Sequence, residues 1–149
     1  VLRRVFVDAN VLIAGADSRS GASNAVMKLA EIGLIQLVVA RQVLDEAERN
    51  LRKNLPRALP NFAAQLAQLR LEIVPDPPQE AVEVYETFIE ATDAPILAAA
   101  VLAAPDRFIT LNTRDFTAEV AVQSRLVIQT PGQFIQTLRS LVDEGLANN

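Results

Sequence analysis

The sequence predicts an α/β fold, a three-layer sandwich around a mainly parallel central sheet, and three features predict it. Short apolar, β-branched segments alternate with longer segments of helical periodicity along the chain. Several of the short segments show no polar alternation, as expected of strands covered on both faces. The 149 residues contain no internal repeat, low-complexity segment or linker-like stretch, so one domain over residues 1–149 is expected.

Taken in order, residues 5–7 form a brief apolar run that stops at Asp8-Ala9-Asn10. A polar segment, 17–23, introduces a helical pattern over about 22–32. Residues 35–40 (IQLVVA) read as a buried strand. From 41 to 55 the spacing of Leu44, Ala47, Leu51 and Leu55 is helical, and Pro56 ends it. A second helix is predicted over about 61–71, with Phe62, Leu66 and Leu69 on one side, then a strand at 71–74 and a proline-rich loop at 75–78. Helices follow at 79–90 and 93–103, and RFITL at 107–111 is a strand. A short helix near 114–120, a strand at 126–128 and a final amphipathic helix starting at Pro131 complete the reading. In that last helix Phe134, Leu138 and Leu141 are assigned to the core rather than to an interface.

Composition narrows the chemistry. The chain has no Cys and no His, which removes disulfides, thiol chemistry, zinc sites built on those residues and every Ser-His or Cys-His triad. Catalysis must then run on carboxylates, hydroxyls, amides, arginines and the two lysines, Lys28 and Lys53. Carboxylates without imidazole or thiolate favour hard cations such as Mg²⁺ or Mn²⁺. The net charge of −4 argues weakly against a nonspecific nucleic-acid binder, since bound metal would offset part of it. Arg49, Arg52, Lys53 and Arg57 read equally as a phosphate-binding patch and as a solvated helix face. No apolar run approaches the roughly 18 residues of a membrane span, and no cleavable signal is read, so a soluble, cytoplasmic protein is expected.

Open parallel sheets place their sites beyond the carboxyl ends of the strands, where strand order reverses. Four acids pass that filter. Asp8 directly follows VFV, Glu46 lies in the second turn after LVVA, Asp115 comes soon after FITL, and Asp93 opens the apolar helix ILAAAVLAA. Each has a bland alternative. Asp8 suits an Asx turn, although its apolar surroundings make a lone carboxylate costly. Asp93 suits an N-cap, Asp115 suits the cap of a short helix, and Glu46 suits a pair with Arg49 or Asn50. Asp45 and Glu48 compete with Glu46, and helix geometry alone does not choose between them.

The same residues carry a family resemblance. VFVDANVLIAG, ARQVLDEAERNL and TDAPILAAAVLAAPDRFITLNTRDF resemble, in order, the motifs of the PIN-domain nucleases, particularly the small prokaryotic toxin-like members. The likeness spans about residues 5–116, and Pro95 departs from it where many relatives carry a polar residue or His. It implies a PIN-like fold and a metal-dependent endoribonuclease that hydrolyses RNA phosphodiester bonds. Its register selects Glu46, and it gives Asp8, Glu46, Asp93 and Asp115 catalytic and metal-binding roles. Asn10, Thr110 and Asn112 become supporting groups, with one or two Mg²⁺ or Mn²⁺ ions as cofactor and no organic cofactor. An antitoxin partner and self-association as a homodimer are further implications. The rival reading is a catalytically silent module that binds a protein or nucleic acid. Phosphatase and receiver-like alternatives fit poorly, because Asn10 stands where a second Asp is needed and neither lysine follows a strand.

Overall fold

The structure, a computed structural model, describes residues 3–149. Its core is one five-stranded sheet made of β1 (Arg4–Val7), β2 (Gln36–Ala40), β3 (Glu72–Val74), β4 (Arg107–Ile109) and β5 (Ile128–Gln129). The strands are all parallel, in the order β3-β2-β1-β4-β5. Successive side chains of a strand point to opposite faces, and Val5, Phe6 and Val7 are all fully buried, so both faces of β1 are covered. That is the three-layer arrangement the apolar runs predict. The chain builds outward from β1 to β3, then returns to the other side of β1 to lay down β4 and β5. The order therefore reverses between β1 and β4, and the crevice at their carboxyl ends is the place to look for a site.

The helices are α1 (Ala9–Asp17), α2 (Ala22–Glu31), α3 (Arg41–Asn54), α4 (Leu59–Gln68), α5 (Gln79–Tyr85), α6 (Ala94–Ala103), α7 (Ala118–Ser124) and α8 (Pro131–Ala147). Helices α1 to α4 pack on one another, α8 packs on α2, and α5 packs on α6. At Gly15 the α1 backbone comes so close to α2 that an added Cβ would lie 2.9 Å from the Met27 side chain. Three amides clasp the end of α1: Asn24 and Gln65 donate to the Gly15 carbonyl, and Asn61 donates to that of Ala16. Among the described residues no helix is long and apolar enough to cross a membrane.

Several elements differ from expectation, among them α5, which ends at Tyr85 rather than near 90, and α4, which runs Leu59–Gln68 rather than 61–71. Helix α1, which the sequence reading left unassigned, starts directly after Asp8; Ala9, Val11, Leu12 and Ala16 are buried, leaving little polar contrast to mark a helix. The helix expected near 114–120 begins at Ala118 instead, capped by the Thr117 hydroxyl, because residues 112–116 are held as a turn. The last strand is Ile128–Gln129 rather than 126–128. In α8 Phe134 is buried and Leu138 packs on the core, but Leu141 is 49% exposed and does not belong to it. Pro131 does open α8, inside a capping box formed by Thr130 and Gln133.

Candidate active site

The crevice between β1 and β4 is built from side chains of both strand ends. Asp8 directly follows β1 and is buried; its Oδ1 accepts from the Ala9 N–H at 2.8 Å, which caps α1. Its Oδ2 accepts from the Thr110 hydroxyl at 2.8 Å and from Asn10 Nδ2 at 3.2 Å. Thr110 follows β4, so this bond joins the two strands across the point of reversal. Asn10 Oδ1 accepts from the Leu111 N–H, and the Thr110 hydroxyl accepts from the Asn112 N–H, both at 3.0 Å. Asn112 and Asp115 then bond each other, Nδ2 to Oδ2 at 3.1 Å and Oδ1 from the Asp115 N–H at 3.2 Å. One network thus runs from Asp8 to Asp115. The neighbouring Phe116 ring anchors it, packed edge-on against Phe108, which packs in turn against Phe6.

Asp93 occupies the N-cap position of α6, yet its side chain makes no capping bond. Its pKa is raised to about 6 by burial first, then by the charge of Asp115 and a hydrogen bond shared with it, and then by Asp8 and Glu90. Burial also raises Asp8, against the lowering effect of its bonds to Thr110, Ala9 and Asn10. Glu46, on the second turn of α3, is raised by burial and by Asp8, and Arg49 partly offsets this. Of its two competitors, Glu48 is separated from it, since Glu48 pairs with Arg52 at 2.7 Å on the outer face of α3. Arg52 is thus engaged on a solvated surface, as one of the two readings of that basic run has it. Glu90 adds charge that sequence reading did not single out; its only sign was a position three residues before Asp93.

The four predicted acids therefore sense one another in a chain, Glu46 with Asp8, Asp8 with Asp93, and Asp93 with Asp115. The grouping is pairwise. Among the described residues no three acidic side chains stand closely enough to hold a metal ion together. Asp8 illustrates why, because both of its oxygens are already turned onto protein donors. The donor set nevertheless suits a hard cation, being all oxygen. Among the described residues the ion pairs are Arg4–Glu72, Lys28–Glu31 and Arg52–Glu48, so none neutralises these acids.

Comparison with known proteins gives a family and a fold. The profile of the PIN domain matches residues 4–114. No curated protein matches the chain in sequence. Among solved structures, a protein of Pyrobaculum aerophilum superposes with a TM-score of 0.62 at 18% identity, over 91% of this chain and 89% of that one. A toxin–antitoxin complex from Klebsiella pneumoniae gives 0.61 at 20% identity, over 85% of this chain and 97% of that one. A Mycobacterium tuberculosis toxin that cleaves the sarcin–ricin loop gives 0.50 at 16% identity, over 70% and 86%. These likenesses concern the fold. The matched profile spans every residue of the crevice except Asp115, and the chain belongs to the PIN domain family.

Proposed function

We propose that this chain is an endoribonuclease that hydrolyses RNA phosphodiester bonds with the help of a divalent metal ion. Asp8, Glu46, Asp93 and Asp115 are its working carboxylates, in a single domain spanning residues 1–149. The observation that carries the reading is electrostatic: four acids from distant parts of the chain share one sheet edge, and three have raised pKa values with no cation paired to them. Such an arrangement costs stability in the free protein and is understandable where a cation arrives.

Asp8, Asp93 and Asp115, drawn closer than the pairwise spacing they have in the free protein, would hold Mg²⁺ or Mn²⁺, with Glu46 contributing directly or through water. Bound there, the ion would offset the negative field that otherwise repels a phosphodiester, acidify a water and stabilise the leaving oxygen. The protein's own residues do the positioning. The Thr110 hydroxyl and Asn10 amide fix Asp8 Oδ2, and Asn112 fixes Asp115 Oδ2. The Asp93 carboxyl, raised to about 6 by burial and by the charge of Asp115 beside it, is the group of the set placed to hold and release a proton near neutral pH.

The test is metal-dependent cleavage of RNA by the purified chain and by Asp8→Asn. The wild type should cut RNA in Mn²⁺ and stop on chelation, and Asp8→Asn should fold but not cut. Full activity in Asp8→Asn, free of contaminating nuclease, would remove the assignment. The toxin–antitoxin neighbour supports a further part of the reading, that the chain is the toxin of such a pair and is held by an antitoxin protein; self-association as a homodimer belongs to the reading through the family resemblance alone. The sarcin–ricin loop neighbour supports RNA rather than DNA as substrate. One observation favours the second reading, a silent binding module: the pairwise grouping of the acids. A silent module would gain no thermal stability from Mn²⁺ and would cut nothing.

A further inference from the structure

Beside Asp115 the surface opens into a cleft of about 690 Å³ between the segment joining α5 to α6 and helix α7. Asp115 forms part of its wall, so the cleft is continuous with the crevice at the strand ends. Its contents are mixed in a particular way. Phe88, half-buried and packed edge-on against Tyr85, supplies an aromatic wall. Arg114 lines the cleft next to Asp115 and is exposed. It takes part in none of the ion pairs among the described residues. Glu86, Glu90 and Glu119 supply acceptors around the rest of the wall.

This combination constrains an occupant. A phosphate would be repelled by the three glutamates and held only near Arg114. An uncharged planar group can enter past them, lie against Phe88 and donate hydrogen bonds to the carboxylates. A nucleobase attached to a phosphate has both parts in the required order. Guanine, adenine and cytosine carry an exocyclic amino donor, whereas the edge of uracil sets two carbonyls beside one N–H and meets carboxylates acceptor to acceptor. Resting on the nuclease reading above, we propose that this cleft takes the base of the nucleotide adjoining the scissile phosphate, with Arg114 on that nucleotide's phosphate and the glutamates selecting amino-bearing bases.

The experiment needs no cleavage. The ¹⁵N-labelled chain, kept in EDTA, is titrated with GMP, AMP, CMP and UMP while its backbone amide signals are followed. Shifts should concentrate at residues 86–90 and 114–120, and UMP should bind more weakly than the other three by about threefold or more. Arg114→Gln should weaken all four by a similar factor, and Glu90→Gln with Glu119→Gln should shrink the preference over UMP. Both are changes to exposed side chains, and the amide spectrum itself reports whether each variant is folded. Equal binding of UMP, or shifts confined to the strand ends, would overturn the proposal. So would an arginine-rich peptide that moves these amides when no nucleotide does, which would assign the cleft to a protein partner. Because the readout is binding, its failure leaves the Asp8→Asn cleavage result standing, and loss of cleavage leaves this result standing.

Discussion

Strand β1 has an acid-rich neighbourhood at each end, and the protein treats the two in opposite ways. At its start, Arg4 bonds both oxygens of Glu72, donates to the Ala103 carbonyl at 2.6 Å, and with Arg3 offers backbone N–H groups to Asp106 at 2.9 and 3.0 Å. The pKa of Asp106 is accordingly lowered, chiefly by the Arg4 backbone N–H. At its end, burial raises Asp8, Glu46 and Asp93, and the charge of Asp8 raises the latter two further. Only Val5, Phe6 and Val7 separate these environments along one strand. The amino edge spends its charges on holding β1, β3 and the end of α6 together. The carboxyl edge leaves its charges in conflict, and that is where a substrate or ion has something to gain.

The contrast predicts that substitutions at the two edges will be read in different assays. The largest expected effect is Asp93→Asn. It removes one charge from the conflict without changing shape, so cleavage of RNA should fall about 10²–10⁴-fold, the range for loss of a positioned acid or base. Melting temperature should hold or rise. A variant that melts lower and cuts normally would mean that the carboxyl edge is structural like the other. Next comes Thr110→Val, nearly isosteric, which deletes the hydroxyl bonded to Asp8 and to the Asn112 N–H. Thr110 is buried, so urea unfolding should show a loss of about 1–3 kcal/mol. Thr110→Ser should restore most of it.

Smaller still is Arg4→Ala. The pair with Glu72 is partly solvated, with side chains 33% and 41% exposed, so screening limits its worth. A cost of about 1 kcal/mol in urea unfolding is expected, with activity per folded molecule unchanged. A loss of cleavage here at constant stability would break the separation between the edges.

How much of this could be read from the chain alone divides along the same lines. Strands β2 and β4 were legible because a fully covered strand leaves an apolar, β-branched word such as LVVA, whereas VFV of β1 is too brief to identify alone. Their parallel pairing followed from the intervening helices. Helix α1 was hidden by the same logic, since ANVLIAGA packs on α2, α3 and α4 and shows no polar stripe. Helix α7 was misplaced because Asp115 looks like a cap but bonds Asn112, and the actual cap is Thr117. Asp8 and Asp115 were legible as candidates from their places after strands and Asp93 from opening an apolar helix, while Glu46, also placed after a strand, was told from Asp45 and Glu48 only through family register. That Asp93 caps nothing, and that Glu90 bears on it, are matters of rotamer and approach that no spacing encodes.

The pH dependence of the free protein offers the gentlest test, because both edges contribute with opposite signs. A carboxyl whose folded pKa lies above its unfolded value binds more protons in the native state, so stability is lost as pH rises through that interval. For Asp93 the interval runs from the ordinary 3.8 to about 6. Asp8 and Glu46 act in the same direction. Asp106 acts oppositely: its contribution is present above the ordinary carboxyl range and is lost only as pH falls through its lowered value. In chelator, the melting temperature should therefore decline by a few degrees between about pH 4 and pH 7, since Asp93 is only half-buried and solvent softens the effect. Asp93→Asn should flatten that decline, while Asp106→Asn should leave its slope intact and lower the curve above pH 4. Mn²⁺ should reverse it, because a cation bound to the ionised carboxylates stabilises the native state most where they are most charged. A melting curve that rises through this interval in chelator would mean the carboxyl edge is as well compensated as the amino edge, and the contrast between the two ends of β1 would be lost.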